Sequence, residues 1–168
     1  MKLKTRDIVY IGFIAALCAV ATTIRIEIPG GAMVHLGSAA LFTTSILFGG
    51  LYGGLGAAIG SALFDLFGGH TQYIVFSFFI KGIAGLIVGG MTAGYLPPSI
   101  NKPTASFSRI LVALIIGAIW TAFGYFIAWW FVLNSAAVAA SKIQYSLITS
   151  AAGIIVAIVL SLIHISEP

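Results

Sequence analysis

Charge is the scarcest property of this sequence. Only 7% of its 168 residues are Asp, Glu, Lys or Arg, against about 25% in a soluble domain, which leaves too little ionic surface to keep a folded chain dissolved. Cysteine is nearly missing as well: Cys18 stands alone, so no intramolecular disulfide framework exists. No group of Cys, His, Asp or Glu has the spacing of metal ligands, and no HExxH occurs. The GxxxxGK[ST] phosphate loop is absent, which excludes ATP hydrolysis by that route. The run GGLYGGLGAAIG at 49–60 is rich in glycine but has neither the flanking strand nor the acidic partner of a dinucleotide site. The sequence therefore offers no catalytic machinery, no metal site and no cofactor site. A protein of this kind that concentrates a solute must draw the energy from a partner or an ion gradient.

What remains is apolar. Hydrophobic residues make up 60% of the chain, with a mean hydropathy of +1.13, and they fall into runs long enough to cross a hydrocarbon core about 30 Å thick. Six candidates emerge: Ile8 to Ile24, Leu36 to Gly49, Leu55 to Phe67, Tyr73 to Tyr95, Ile110 to Leu133 and Ile143 to Val159. The second and third are short and are joined across Gly49 to Gly54, so they form either two helices or one long broken one. The runs are apolar on every face, unlike the alternating strands of a barrel. The expectation is an all-α integral membrane bundle of six transmembrane helices. The first run lacks a small-residue cleavage site and is expected to stay. Lys2, Lys4, Arg6, Lys102 and Arg109 outnumber Arg25 and Lys142 on the opposite side, which puts the N-terminus in the cytoplasm. Residues 1–159 read as one transmembrane domain. Residues 160–168, LSLIHISEP, resemble the translation of a sequencing adapter and are set apart, with His164 and Glu167, from functional argument.

Helices in lipid pack by close approach of small residues. Gly56 and Gly60 form GxxxG in the third run; Gly85 with Gly89, and Gly90 with Gly94, repeat the spacing in the fourth. The first helix carries two stripes, Gly12 with Ala16 and Ala15 with Ala19, more than one internal neighbour requires. One of them is a candidate face for an external partner.

Two ionisable residues fall at membrane depth, where they are costly and normally face the interior. Asp65 and Lys81 flank a short turn and come to similar depth, either as a buried ion pair that fixes the hairpin or as contacts for a solute. Other hydrogen-bonding groups gather at the same outer level: His35, His70, Gln72, Tyr73, Asn134, Gln144 and Tyr145. Tyr125 and Trp129 are four apart and share a helix face, while Trp130 points elsewhere. The tryptophans serve either an interfacial aromatic belt or the stacking of a planar ligand. The connector Arg25 to Val34, with Gly30 and Gly31 as hinge, is short and apolar enough to fold over the outer mouth as a lid. The candidate substrate-binding residues are thus His35, Asp65, Gln72, Tyr73, Lys81, Tyr125, Trp129, Asn134, Gln144 and Tyr145. The solute that suits them is small, planar and largely uncharged.

Val34-His35-Leu36-Gly37, Leu47-Phe48-Gly49-Gly50-Leu51-Tyr52-Gly53, Ile59-Gly60-Ser61-Ala62-Leu63-Phe64-Asp65-Leu66 and Ile80-Lys81-Gly82-Ile83-Ala84-Gly85-Leu86-Ile87 resemble the substrate-binding S components of energy-coupling factor (ECF) vitamin transporters. The resemblance is nearest to the branch associated with hydroxymethylpyrimidine or pyridoxine. It covers the first hundred residues well and the last two helices only by hydropathy. It implies a six-helix subunit of an ABC importer in a prokaryotic cytoplasmic membrane, capturing a B-vitamin or precursor outside and working with a membrane scaffold and two cytoplasmic ATPases. The small residues of the first helix, Gly12, Ala15, Ala16 and Ala19, would meet the scaffold, Ala15 and Ala19 above all. The family mechanism tips the whole subunit in the membrane, and the first connector matches the gating loop in position. The alternative on the residues alone is a stand-alone secondary carrier or channel with Asp65 and Lys81 as its ion or proton site.

Overall fold

The computed structural model describes residues 4–28, 32–95 and 105–166. Within them six helices pack into a bundle: α1 (Thr5–Thr23), α2 (Gly37–Phe48), α3 (Gly50–Phe67), α4 (Ile74–Thr92), α5 (Phe107–Leu133) and α6 (Ala136–Ser166). A single 3-10 turn, Thr71–Tyr73, leads into α4. Strands β1 (Arg25–Ile28) and β2 (Ala32–His35) pair antiparallel between α1 and α2, with Arg25 opposite His35. The connector expected as a loop is therefore a hairpin. Its alternation of Arg25, Ile26, Glu27 and Ile28, with β-branched residues at every second place, is the strand signal that the apolar composition masked. Gly30 and Gly31, the expected hinge, lie outside the described residues, as do Lys2 and Lys102, which carried part of the orientation argument.

Among the described residues five helices are long and apolar enough to cross a membrane by length and composition; α2 is shorter. Its 12 residues rise only about 18 Å. It needs no greater length, because it is wrapped by other helices instead of lipid: Leu41 and Phe42 are each 1% exposed. The break that follows is one residue long. Gly49, at φ 84°, takes a left-handed conformation that favours glycine, and Gly50 to Gly54, expected as a connector, already belong to α3.

Glycine there serves packing. A Cβ on Gly85 of α4 would stand 2.6 Å from the Cα of Gly54, and one on Gly54 would stand 2.9 Å from the carbonyl oxygen of Gly82. The seam between α3 and α4 is backbone against backbone, as small-residue spacing predicts. Against α1, Gly56 makes room for the Ile14 side chain and Gly60 for the Ala15 carbonyl. Gly90 and Gly94 differ from expectation: α4 stops at Thr92, and the turn beyond it caps α3. The Gly50 and Leu51 amides donate to the carbonyls of Gly94 and Tyr95 at 2.9 and 3.0 Å, satisfying two first-turn amides that have no partner inside the helix.

The core centres on Ile14, Leu41, Phe42, Val88 and Leu114. Phe13, Val20, Phe79, Ile119, Phe131 and Ile155 point outward. An apolar exterior of this extent requires a lipid environment. At the far end α6 begins seven residues before the expected Ile143 and stays helical to Ser166, through most of the segment set apart.

Candidate functional site

One end of the bundle gathers the C-terminal ends of α1, α3 and α5, the N-terminal ends of α2, α4 and α6, and strand β2. Side chains from all of them surround a cavity of about 90 Å³, room for several waters or one small ring, given that a single water needs about 10–15 Å³ by this measure. Six of the ten residues expected at a site line it: His35, Asp65, Tyr73, Lys81, Tyr125 and Trp129. Four do not. Gln72 is exposed in the 3-10 turn, Asn134 is exposed where it closes α5 in the left-handed region, and Gln144 is exposed on α6. Tyr145 is half-buried outside the lining. These four reach the correct level of the bundle, but their helix rotation or turn position directs them elsewhere.

The lining also holds Ser38, Ser61, His70, Ser77, Thr121, Ser146 and Thr149, none of which stood among the ten. A signal for three of them exists in the spacing. Ser61 precedes Asp65 by four, Ser77 precedes Lys81 by four, and Thr121, Tyr125 and Trp129 step by four along α5, so each set shares one helix face. Hydroxyl residues are common in membrane helices, and only the ionisable or aromatic member of each set draws notice from the sequence.

Asp65 and Lys81 do not form an ion pair; among the described residues the salt bridge is Arg25 to Glu27, at 2.8 Å. Lys81 Nζ instead donates to Ser38 Oγ at 3.1 Å and lies 5.4 Å from the centre of the Tyr125 ring. A hydroxyl acceptor and an aromatic face thus take the place of a carboxylate. The Tyr125 and Ser77 hydroxyls are 3.0 Å apart, and the Tyr125 and Trp129 rings lie 5.6 Å apart at 31°. Trp130 is exposed and packs on Phe126, away from the cavity.

Asp65 is 7% exposed, yet its Oδ2 has no hydrogen-bond partner; the same holds for His70 Nε2 and Thr149 Oγ1. A buried polar atom left in that state costs roughly 1–3 kcal/mol, so three on one cavity wall mark a surface completed by water or a bound solute. Ser77 neighbours the Asp65 carboxylate.

His35 enters from β2. The Gly37 amide donates to His35 Nδ1 at 3.1 Å, which makes Nε2 the protonated nitrogen of the neutral ring. Burial, with the Lys81 and Arg25 charges, lowers its pKa to about 3. His35 therefore serves as a neutral donor. Arg25 lies 5.1 Å over the Phe64 ring, fastening the hairpin to the end of α3.

The two stripes of α1 part company. Ala15 is 3% exposed and faces Gly56 and Gly60 of α3, so it belongs to internal packing. Ala19 is half-buried, and Gly12 and Ala16 face outward. Nothing lies within 4 Å of the point where a Cβ on Gly12 would be.

A membrane-spanning helical bundle with a small polar and aromatic cavity at one end is the class of protein that fold and site define. Residues 2–165 match the family described as "ECF-type riboflavin transporter, S component", and the chain belongs to that family, which is a transporter subunit family and not an enzyme class. The chain is similar over 99% of its length, with a TM-score of 0.73 and 20% identity, to the whole of a solved S component of a bacterial ECF transporter. The two share a fold. An uncharacterized protein of Pyrococcus woesei is 29% identical over 142 residues, covering 84% of this chain and 88% of the relative.

Proposed function

We propose that the protein is the substrate-capture subunit of an ECF-type importer, with six membrane-crossing segments, a cytoplasmic N-terminus and a cavity that opens toward the outside. It takes up a small B-vitamin or precursor of the pyridoxine or hydroxymethylpyrimidine type and delivers it inward together with a scaffold subunit and two ATPases. The observation that carries this reading is the cavity itself: the Tyr125 and Trp129 rings beside three buried polar atoms that have no partner within the chain. Aromatic surface with a few fixed polar groups suits a flat, hydrogen-bonding solute. The exposed Gly12 and Ala16 give the scaffold a face for close helix approach.

The family description favours a second substrate, riboflavin, whose three-ring system is the larger test of the cavity. Isothermal titration of the purified protein against pyridoxine, the hydroxymethylpyrimidine precursor, thiamine and riboflavin separates these. Heat on adding one of the first two supports the reading; heat with riboflavin alone moves the substrate to riboflavin; a folded protein that binds none of the four overturns it.

A further inference from the structure

Asp65 and Lys81 present an acid and a base on the wall of one cavity without touching. Both are more than nine-tenths buried. Lys81 uses one donor on Ser38 and keeps two N–H groups, because an ammonium has three; Asp65 Oδ2 has nothing. An acid and a base facing one cavity would ordinarily be drawn together. Here Ser38 and the Tyr125 face engage Lys81 instead, and the carboxylate lines the same cavity.

We propose that this split pair is the specificity device of the site: Asp65 accepts a hydrogen bond from a ring N–H or amino group, and Lys81 donates to an oxygen on a different edge of the same ring. The inference rests on the proposed function and names the ligand's chemistry. The ligand is a nitrogen heterocycle with a donor edge and an oxygen-acceptor edge, neutral or zwitterionic overall, since an acid and a base face it from the same cavity. His35, a neutral ring whose Nδ1 accepts the Gly37 amide, adds an Nε2–H donor that brings no net charge. Tyr125 and Trp129 supply the stacking face, which reads flatness and not edges. A hydrocarbon ring of equal size would leave both charges unsatisfied and be rejected on that ground.

The test uses pyridoxine and riboflavin as probes, each beside an analogue that lacks the ring N–H donor and gains no charge, the imide N-methyl form for riboflavin and the form with CH in place of the ring nitrogen for pyridoxine, and titrates the full chain in detergent or nanodiscs. Whichever parent binds, loss of the donor weakens it roughly ten- to hundredfold in the wild type, the range for a hydrogen bond to a charged group. The same change has little effect on D65N, whose parent affinity is already reduced. For pyridoxine, removal of the ring hydroxyl gives the parallel result with K81M. Equal binding of parent and donor-free analogue by the wild type overturns the proposal while leaving the proposed function intact, and this arm needs no variant to fold. Undiminished parent binding by D65N and K81M overturns it too. Failure of the wild type to bind either parent overturns both.

Discussion

The Tyr52 hydroxyl donates to the Asp7 carboxylate at 2.6 Å, tying the start of α3 to the start of α1 at the end of the bundle opposite the cavity. The other oxygen of Asp7 accepts the Lys4 amide at 2.8 Å, so one side chain both caps its own helix and joins a neighbour. Tyr52→Phe keeps the ring and its stacking on Tyr10 and removes only the hydroxyl. It should lower the melting temperature by roughly 2–4 °C, the shift for one net hydrogen bond in a chain of this size, and leave ligand affinity unchanged. Thermal unfolding and titration of the same preparation check both halves.

The glycine seam between α3 and α4 makes a sharper demand. Gly85→Leu would drive a side chain into the Gly54 backbone, and helices that cannot approach cannot keep the cavity walls in register. The variant should fail to give a monodisperse peak on size-exclusion chromatography. Gly12→Leu, with open space around it, should elute like the wild type.

Ala15 and Ala16 are adjacent in sequence and opposite in consequence. Ala16→Leu adds bulk to an exposed face; it should spare ligand binding and reduce co-purification of the scaffold subunit at least severalfold. Ala15→Leu adds the same bulk inside the contact with α3 and should destabilise by roughly 1–3 kcal/mol, the usual range for overpacking. Equal pull-down for wild type and Ala16→Leu would remove this face from the proposed interface.

Trp129→Ala removes half of the ring pair and should weaken ligand binding by up to about tenfold, in line with one aromatic contact. Quenching of tryptophan fluorescence on ligand addition should fall with it in the wild-type comparison.

His35 sets a pH dependence of definite sign. Its pKa drops from 6.5 in the unfolded chain to about 3 in the folded one, so below 6.5 the unfolded state binds more protons. The stability that neutral His35 contributes is complete above pH 6.5 and is lost as the pH falls from there through about 3. Melting temperature followed from pH 7 to pH 4 should decline less steeply in His35→Gln than in the wild type, and His35 should add no pH dependence to ligand binding above 6.5.

Much of the site was legible before any coordinates. Asp65, Lys81, Tyr125 and Trp129 attract attention because ionisable and large amphipathic groups are rare at membrane depth, and all four reach the cavity. Gln72, Asn134 and Gln144 carried the same chemistry at the same level and miss it, since depth along a helix says nothing about rotation around it. Ser38 and Thr149 were passed over for the reverse reason: their hydroxyls are ordinary in sequence and become significant only when burial leaves one as the lone hydrogen-bond partner of Lys81 and the other unpartnered. The hairpin was hidden by its own apolar residues, whose alternation over four positions is too short to stand out between two long hydrophobic runs.

Sequence alone determined that the chain forms an apolar helical bundle with few charges, because hydropathy and helix length are sums over neighbouring residues and need no knowledge of what lies across from them. Only the tertiary structure decided that Lys81 turns to Ser38 and Tyr125 instead of Asp65, that Ala15 faces inward while Ala16 faces out, and that the short α2 is enclosed by its neighbours. Those outcomes depend on how far each helix is rotated and how closely it approaches its neighbour. The seams at Gly54, Gly60 and Gly85 fix both by letting backbone meet backbone.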